Sequence, residues 1–107
     1  MNGMIRRPLA VNFEEYTDND PEFKKELIIL MIDNLQELQQ CYETSVSSRN
    51  TALFSKCCHK IKITLIMLQD NELDALIEVL QQDVLAICKP SFDRIIKEII
   101  GSLLAEK

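Results

Sequence analysis

Glycine and proline are rare in this chain, and that scarcity limits the available folds more than any other feature of the sequence. Its 107 residues include two glycines and three prolines. A β-sandwich needs a turn signal about every 8–12 residues, so a fold of many short strands is disfavoured. Glycine-rich loops that cradle phosphates are excluded for the same reason. We therefore expect long regular elements joined by few turns.

Apolar residues repeat at helical spacing over four long stretches of the chain. The first stretch begins with Asp20 as its N-cap, or with Asn19 in a capping box, and it fades near residues 45–48. The second begins at Asn50 or Thr51 and runs to about residue 68. Both stretches are long enough to be helices that bury one face.

Two further helical stretches complete the chain. The third begins at Asp70 or Asn71 and extends through Ile87. It stops before Pro90, because proline disfavours helical geometry in the residue that precedes it. Ser91 then caps the fourth helix. Short loops between long amphipathic helices force antiparallel neighbours, so the sequence predicts an all-α fold, an antiparallel up-down four-helix bundle.

The length fits one domain. We assign residues 12–107 to this domain, which includes a short extra helical turn at residues 12–16. Residues 1–11 are assigned to a flexible N-terminal arm. We expect the protein to be a monomer.

Composition indicates which classes of partner the protein can bind and in which cell compartment we expect it. The formal net charge is −5, which disfavours a nucleic-acid binder, because phosphate contacts require an excess of lysine and arginine. No apolar run approaches the length of a membrane span and no secretory signal is visible, so we expect a cytoplasmic protein with no membrane partner. The four cysteines are then expected to be reduced thiols that pack as small apolar side chains.

His59 is the only histidine, and helical geometry predicts where it points. When successive residues are placed at about 100° intervals, Phe54, Cys58 and Leu65 fall on one buried stripe and His59 on the opposite side. We therefore expect the imidazole to face solvent. Ile63 and Ile66 share this outward face, which is typical of a contact surface unless a neighbouring helix covers them.

Charge is segregated around this histidine. Residues 49–69 hold four basic side chains and no acidic one, whereas residues 70–83 hold five acidic side chains and no basic one. A basic, partly apolar face around an exposed imidazole suits an acidic partner. A metal site is not expected, because the helical neighbours of His59 are poor ligands and zinc needs several that converge. A Cys–His nucleophile pair is disfavoured, since successive helical residues diverge.

Three motifs occur in a fixed order along the chain. They are EYTDNDPEF at residues 15–23, HKIK at residues 59–62, and Leu68 followed by Glu72-Leu73. In this order and spacing they resemble the histidine-containing phosphotransfer (HPt) domains of two-component phosphorelays, whose core motif is H-x-L-K. The resemblance covers the stretch from Tyr16 to Leu80.

The resemblance implies that His59 is a phosphoacceptor, which takes a phosphoryl group from a receiver-domain aspartate and passes it to another. It implies a phosphocarrier and not an enzyme with turnover. Lys62, one turn further on, would stabilise the phosphoryl oxygens. Gln81, which lies opposite His59 when residues are counted from the next turn, would hold the other ring nitrogen. The receiver supplies Mg²⁺, so no cofactor is expected on this chain.

The implied partner is the receiver domain of a response regulator, of a hybrid sensor histidine kinase, or of both. Ser55, Lys56, Ile63 and Ile66 would frame its docking beside His59. Ile63 stands where the family commonly has glycine, so one alternative is a degenerate domain that binds a receiver or kinase without being phosphorylated. Another is a helical adaptor in which the histidine is incidental.

Overall fold

The computed structural model describes residues 7–86 and 89–107, and every regular element in these two ranges is an α-helix. The prediction of an all-α fold is therefore confirmed. In chain order the helices are α1 (Phe13–Thr17), α2 (Pro21–Ser47), α3 (Thr51–Lys60), α4 (Lys62–Leu68), α5 (Asn71–Gln82) and α6 (Lys89–Glu106).

Side-chain caps determine where the helices begin. The carboxylates of Asp20 and Asp70 accept hydrogen bonds of 2.9–3.3 Å from backbone N–H groups in the first turns of α2 and α5. Asn12 and Asn50 cap α1 and α3 through their side-chain oxygens. Such caps satisfy N–H groups that the first turn of a helix leaves without partners. In each case where the sequence offers two caps, these bonds identify the one that is used.

The second predicted helix is divided at Ile61, so the expectation of one uninterrupted helix is wrong. Ile61 has φ −102° and ψ 21°, outside the helical region. It is β-branched and precedes a stretch with further β-branched residues, which are weak helix formers. Its N–H still bonds to the carbonyl of Cys57 at 3.2 Å and its carbonyl accepts from the N–H of Leu65 at 3.3 Å. The chain therefore continues from α3 into α4 in one direction.

The third helix is shorter than predicted, because α5 ends before Asp83. The Asp83 side chain accepts a hydrogen bond of 2.9 Å from the N–H of Leu85, and Thr51 Oγ1 accepts one of 3.2 Å from the N–H of Val84. These side chains compete with the helical carbonyls for the backbone donors. Ile87, the predicted last apolar position, lies outside the described residues.

The last helix begins earlier than predicted. Lys89 is its first residue, so Ser91 lies in the first turn and is not the N-cap. Proline fits the first turn of a helix, because the N–H that it lacks would have no partner there. Pro90 therefore does not delay the start of α6.

The packing places α3 between two other helices. α2 packs against α1, α3 and α6, and α5 packs against α3 and α6. The core between α2, α3 and α6 contains the buried rings of Tyr42, Phe54 and Phe92, with centroids 4.7–6.2 Å apart. Aromatic pairs at such spacings stabilise a core beyond their buried area. Phe54 thus anchors α3 by its inner face, and the outer face of α3 is left to solvent.

The described part of the predicted N-terminal arm lies against α5 and α6. Arg7 forms ion pairs of 2.7–2.9 Å with Asp70, Glu72 and Glu98. Its carbonyl also accepts a hydrogen bond of 2.6 Å from Ser102 Oγ. Apolar side chains that follow Arg7 pack against the core. Residues 1–6 lie outside the described residues.

Candidate functional site

His59 lies in the last turn of α3, on the side that faces away from the core. Its side chain is exposed, whereas Phe54, Cys58 and Ile61 on the inner side are at most 3% exposed. Within residues 7–86 and 89–107 the imidazole makes no hydrogen bond and no ion pair. The ring is therefore open to approach by another molecule, as the helical geometry predicts.

Three lysines surround the imidazole, and their charges are not equally available. The Lys60 ammonium lies 2.6 Å from a carboxylate oxygen of Glu37, and this hydrogen bond raises the pKa of Lys60. In the described part of the chain no carboxylate lies within 4.0 Å of the ammonium of Lys56 or Lys62. The positive charge available beside His59 therefore comes from Lys56, one turn before it, and Lys62, one turn after it.

A groove between α3–α4 and α5 brings together three of the predicted site residues with His59. Ser55, Lys62 and Gln81 line this groove, and Cys58, Leu65 and Ile77 also contribute to its wall. A hydroxyl, an ammonium and an amide are all hydrogen-bond donors. The groove is therefore suited to the oxygens of an anion held next to the imidazole.

Gln81 reaches this groove but does not bond to the imidazole. Its side-chain amide lies near the Cys58 thiol and lowers the pKa of that thiol, which partly offsets the rise to about 12 that burial causes. No hydrogen bond joins Gln81 to His59 among the described residues. Gln81 therefore lies in the same groove as His59 in this conformation, but its predicted role in orienting the imidazole stays a prediction.

A second depression lies on the other side of His59, between α2 and α3. Leu53, Cys41 and Cys57 contribute apolar surface, and Glu37, Lys56, His59 and Lys60 surround it. His59 therefore stands on a ridge between a polar groove next to α5 and an apolar depression next to α2. Lys56 belongs to the apolar side, whereas Lys62 belongs to the polar side.

The outward face of α4 is apolar. Ile63 is 69% exposed and Ile66 is 52% exposed, one and two turns after His59. The inner face of α4 is held to α2 by a hydrogen bond of 2.8 Å from Asn34 Nδ2 to Thr64 Oγ1. None of the described helices covers the two isoleucines, which supports the interpretation of this face as a contact surface.

Two residues of α2 contribute to this region and are not singled out in the sequence. Glu37 pairs with Lys60, and Asn34 bonds to Thr64. Both contacts follow from the antiparallel run of α2 and α3 on either side of the turn at residues 48–50. Counting residues away from the turn between the next two helices selects Gln81. The same count from residues 48–50 would have identified Glu37 and Asn34.

Neither a metal-ligand cluster in the described residues nor a match to a known family identifies the site. In residues 7–86 and 89–107 no three His, Cys, Asp or Glu side chains converge as metal ligands, and no helix there has the length and apolar character needed to cross a membrane. Comparison of the chain with family models, with curated proteins and with solved structures gives no match. The inference of function therefore depends on the geometry around His59.

Proposed function

We propose that this chain is a histidine phosphotransfer protein of a two-component phosphorelay, in which His59 carries the phosphoryl group. The main support is the exposed imidazole, flanked by Lys56 and Lys62, whose charges no nearby carboxylate neutralises among the described residues. Phosphoryl transfer needs little covalent chemistry from a protein and depends on positioning and on charge stabilisation. An accessible nitrogen beside free cations meets both needs.

The proposed reaction begins on the aspartyl phosphate of a receiver domain. The lone pair of one imidazole nitrogen of His59 forms a bond to phosphorus, and the bond from phosphorus to the aspartate oxygen breaks. The aspartate leaves as a carboxylate with the electron pair, and the second ring nitrogen keeps its proton. The receiver contributes the carboxyl group and Mg²⁺, so this chain needs no cofactor of its own and acts as a carrier without turnover.

The groove next to α5 gives Lys62 and Gln81 their proposed roles. Lys62 lines the same groove as His59, and its ammonium is proposed to contact the oxygens of the phosphoryl group. Gln81 lines the same groove, and we propose that its amide turns to the second ring nitrogen of His59 when the receiver is bound, which would fix the reactive tautomer. Ser55 lies in the same groove, where its hydroxyl can contact the incoming phosphate.

The proposed fold and interface complete this picture. We infer one monomeric cytoplasmic domain, residues 12–107, in which α2, α3–α4, α5 and α6 are the arms of an antiparallel up-down four-helix bundle. The contacts of α2 and of α5 with both α3 and α6 support this order. Lys56, Ile63 and Ile66, with Ser55, would form the docking face for a receiver of a response regulator or of a hybrid sensor kinase.

The proposal is tested by mixing the chain with a panel of phosphorylated receiver domains. We expect an acid-labile, alkali-stable phosphate on the chain and none on His59→Gln. Lys62→Gln should slow transfer about tenfold, the effect of about 1.4 kcal/mol on the barrier. Lys60→Gln is the matched control and should have a smaller effect, because Glu37 already engages that ammonium. Equal labelling of His59→Gln, or no label from any receiver, would contradict the proposal.

A second candidate is a degenerate domain that binds a receiver without accepting phosphate. The exposed Ile63, one turn after His59, favours it, since a branched side chain there stands where a receiver would approach. Binding without transfer by the native chain, together with equal signalling by His59→Gln in cells, would select this candidate. Loss of binding in Ile66→Asp but not in His59→Ala would instead indicate a helical adaptor.

A further inference from the structure

The three cysteines that the structure describes lie around the base of the His59 ridge but face two different ways. Cys57 and Cys41 line the apolar depression next to α2. Cys58, the next residue in α3, lines the groove next to α5, together with Gln81. The proposed function uses none of these thiols. Cys41 and Cys57 form the pair that shares one surface depression.

The register between α2 and α3–α4 places Cys41 and Cys57 opposite each other. Lys60 in α3 pairs with Glu37 in α2 at 2.6 Å. Thr64, four residues after Lys60, bonds to Asn34, three residues before Glu37. Moving one turn in the other direction from Lys60 and Glu37 leads to Cys57 and Cys41.

A contact of Cys41 agrees with this register. Its Sγ donates to the carbonyl of Leu53 at 3.7 Å, and Leu53 precedes Cys57 by one turn on the same side of α3. The Cys41 thiol is also a direct electrostatic neighbour of Cys57. Facing residues on two packed helices can meet the Cα separation of roughly 4.4–6.8 Å that a disulfide requires.

We propose that Cys41 and Cys57 are a peroxide-sensitive thiol pair that closes to a disulfide between α2 and α3. Cys41 is the half-buried member, so it is the first that an oxidant in solution can reach. Its thiolate attacks one oxygen of hydrogen peroxide, which gives a sulfenic acid and water after proton transfer. The sulfur of Cys57 then attacks that sulfenic acid, the S–O bond breaks, and a second water leaves. Two thiols and one peroxide thus become one disulfide and two waters.

The second step is feasible although Cys57 is a weak acid. Burial, followed by the neighbouring Cys41 thiol, raises the pKa of Cys57 to about 12. Only a small fraction of Cys57 is then ionised at pH 7, but a sulfur held next to the sulfenic acid gains the rate advantage of an intramolecular reaction. We therefore expect slow closure at neutral pH and faster closure at pH 8.5. Because Cys57 and Cys58 are buried, we expect neither thiol to react directly with the oxidant.

The test is peroxide treatment of the folded chain in a Cys88→Ser background, followed by alkylation of free thiols, tryptic digestion and mass spectrometry. We expect a cross-link between the peptide that contains Cys41 and peptide 57–60, with the loss of two hydrogens. Because peptide 57–60 contains both adjacent cysteines, variants must assign the bond. Cys58→Ser is the matched control and should form the same cross-link, whereas Cys57→Ser should form none and should leave a sulfenic acid on Cys41 that dimedone traps.

Several results would overturn this inference. These are a cross-link that Cys58→Ser abolishes, stepwise oxidation of Cys41 with Cys57 still alkylated, or no reaction of either thiol at pH 8.5. All of these outcomes are read from the masses of peptides of the Cys88→Ser chain and of its Cys57→Ser and Cys58→Ser derivatives, without any receiver. The inference therefore stands or fails separately from the proposed phosphotransfer.

Discussion

Replacing Arg7 by methionine should destabilise the fold measurably, because this side chain joins the N-terminal segment to α5 and α6. Its Nε and Nη2 each lie 2.7 Å from one carboxylate oxygen of Asp70. Nη2 also lies 2.9 Å from Glu72, and Nη1 lies 2.9 Å from Glu98. The side chains of Arg7 and Asp70 are each 11% exposed. Methionine keeps most of the apolar length of the side chain and removes the charge and the hydrogen bonds.

The size of the effect follows from the burial of the Arg7–Asp70 pair. Removing one partner of a fully buried pair costs about 3–5 kcal/mol, whereas an exposed pair contributes about 0–1 kcal/mol. The Arg7–Asp70 pair is bidentate and nearly buried, so we expect the free energy of unfolding to fall by about 2 kcal/mol. For a domain of about 100 residues this lowers Tm by about 8 °C.

The loss of stability in Arg7→Met should also depend on pH, and the direction of that dependence follows from the pKa of Asp70. Arg7 holds the pKa of Asp70 below its ordinary value of 3.8. A carboxylate with a lowered folded-state pKa stabilises the fold above its ordinary pKa, and this stabilisation is lost as the pH falls through the folded-state pKa. The difference between the native chain and Arg7→Met should therefore be constant from pH 7 to about pH 5 and should narrow below about pH 4.

Urea denaturation at several pH values measures this difference. Asp70→Asn supplies a double-mutant cycle, since asparagine can still cap α5 through the N–H of Leu73. We expect the two substitutions together to cost less than their sum, because each removes the same pair. A loss below about 0.5 kcal/mol at pH 7, or a difference that widens in acid, would refute the reasoning.

Three further substitutions test the core, a cap and the exposed face, each by urea denaturation. Phe54→Ala removes a ring with 0% exposure and should cost about 3–5 kcal/mol; a cost below about 1 kcal/mol would mean that the aromatic cluster is not the core. Asn50→Ala removes the acceptor for the N–H of Leu53 and should cost about 1 kcal/mol, whereas Ser48→Ala in the same connection should cost less; equal costs would argue against the cap. Ile63→Ser should change stability by less than about 0.5 kcal/mol, and a larger loss would show that the residue is covered.

Local rules predicted much of this fold and the exposure of His59, Ile63 and Ile66. Periodicity located the long helices, and the capping chemistry of Asp20, Asn50 and Asp70 located three of their starts. The exposure of His59 followed from helical geometry alone, because an amphipathic helix has only one buried side. The same geometry correctly placed Ile63 and Ile66 on the outside.

The errors arose where contacts between distant residues decide the structure. Thr51 accepts the N–H of Val84 and helps to end α5, a bond between residues that are 33 positions apart. The ion pairs of Arg7 join it to residues more than 60 positions away, so the sequence pattern of an arm could not reveal them. Which group the Gln81 amide faces depends on side-chain rotation, and residue spacing does not determine that rotation.

Locating the phosphoryl group on the chain tests the account most directly. After incubation with a phosphorylated receiver, the native chain is digested at neutral or alkaline pH and its peptides are fragmented in the mass spectrometer by a method that preserves the nitrogen–phosphorus bond. The account predicts one phosphoryl group, on His59 within peptide 57–60. A phosphoryl group on any other side chain, or a chain that binds the receiver and stays unmodified, would contradict it.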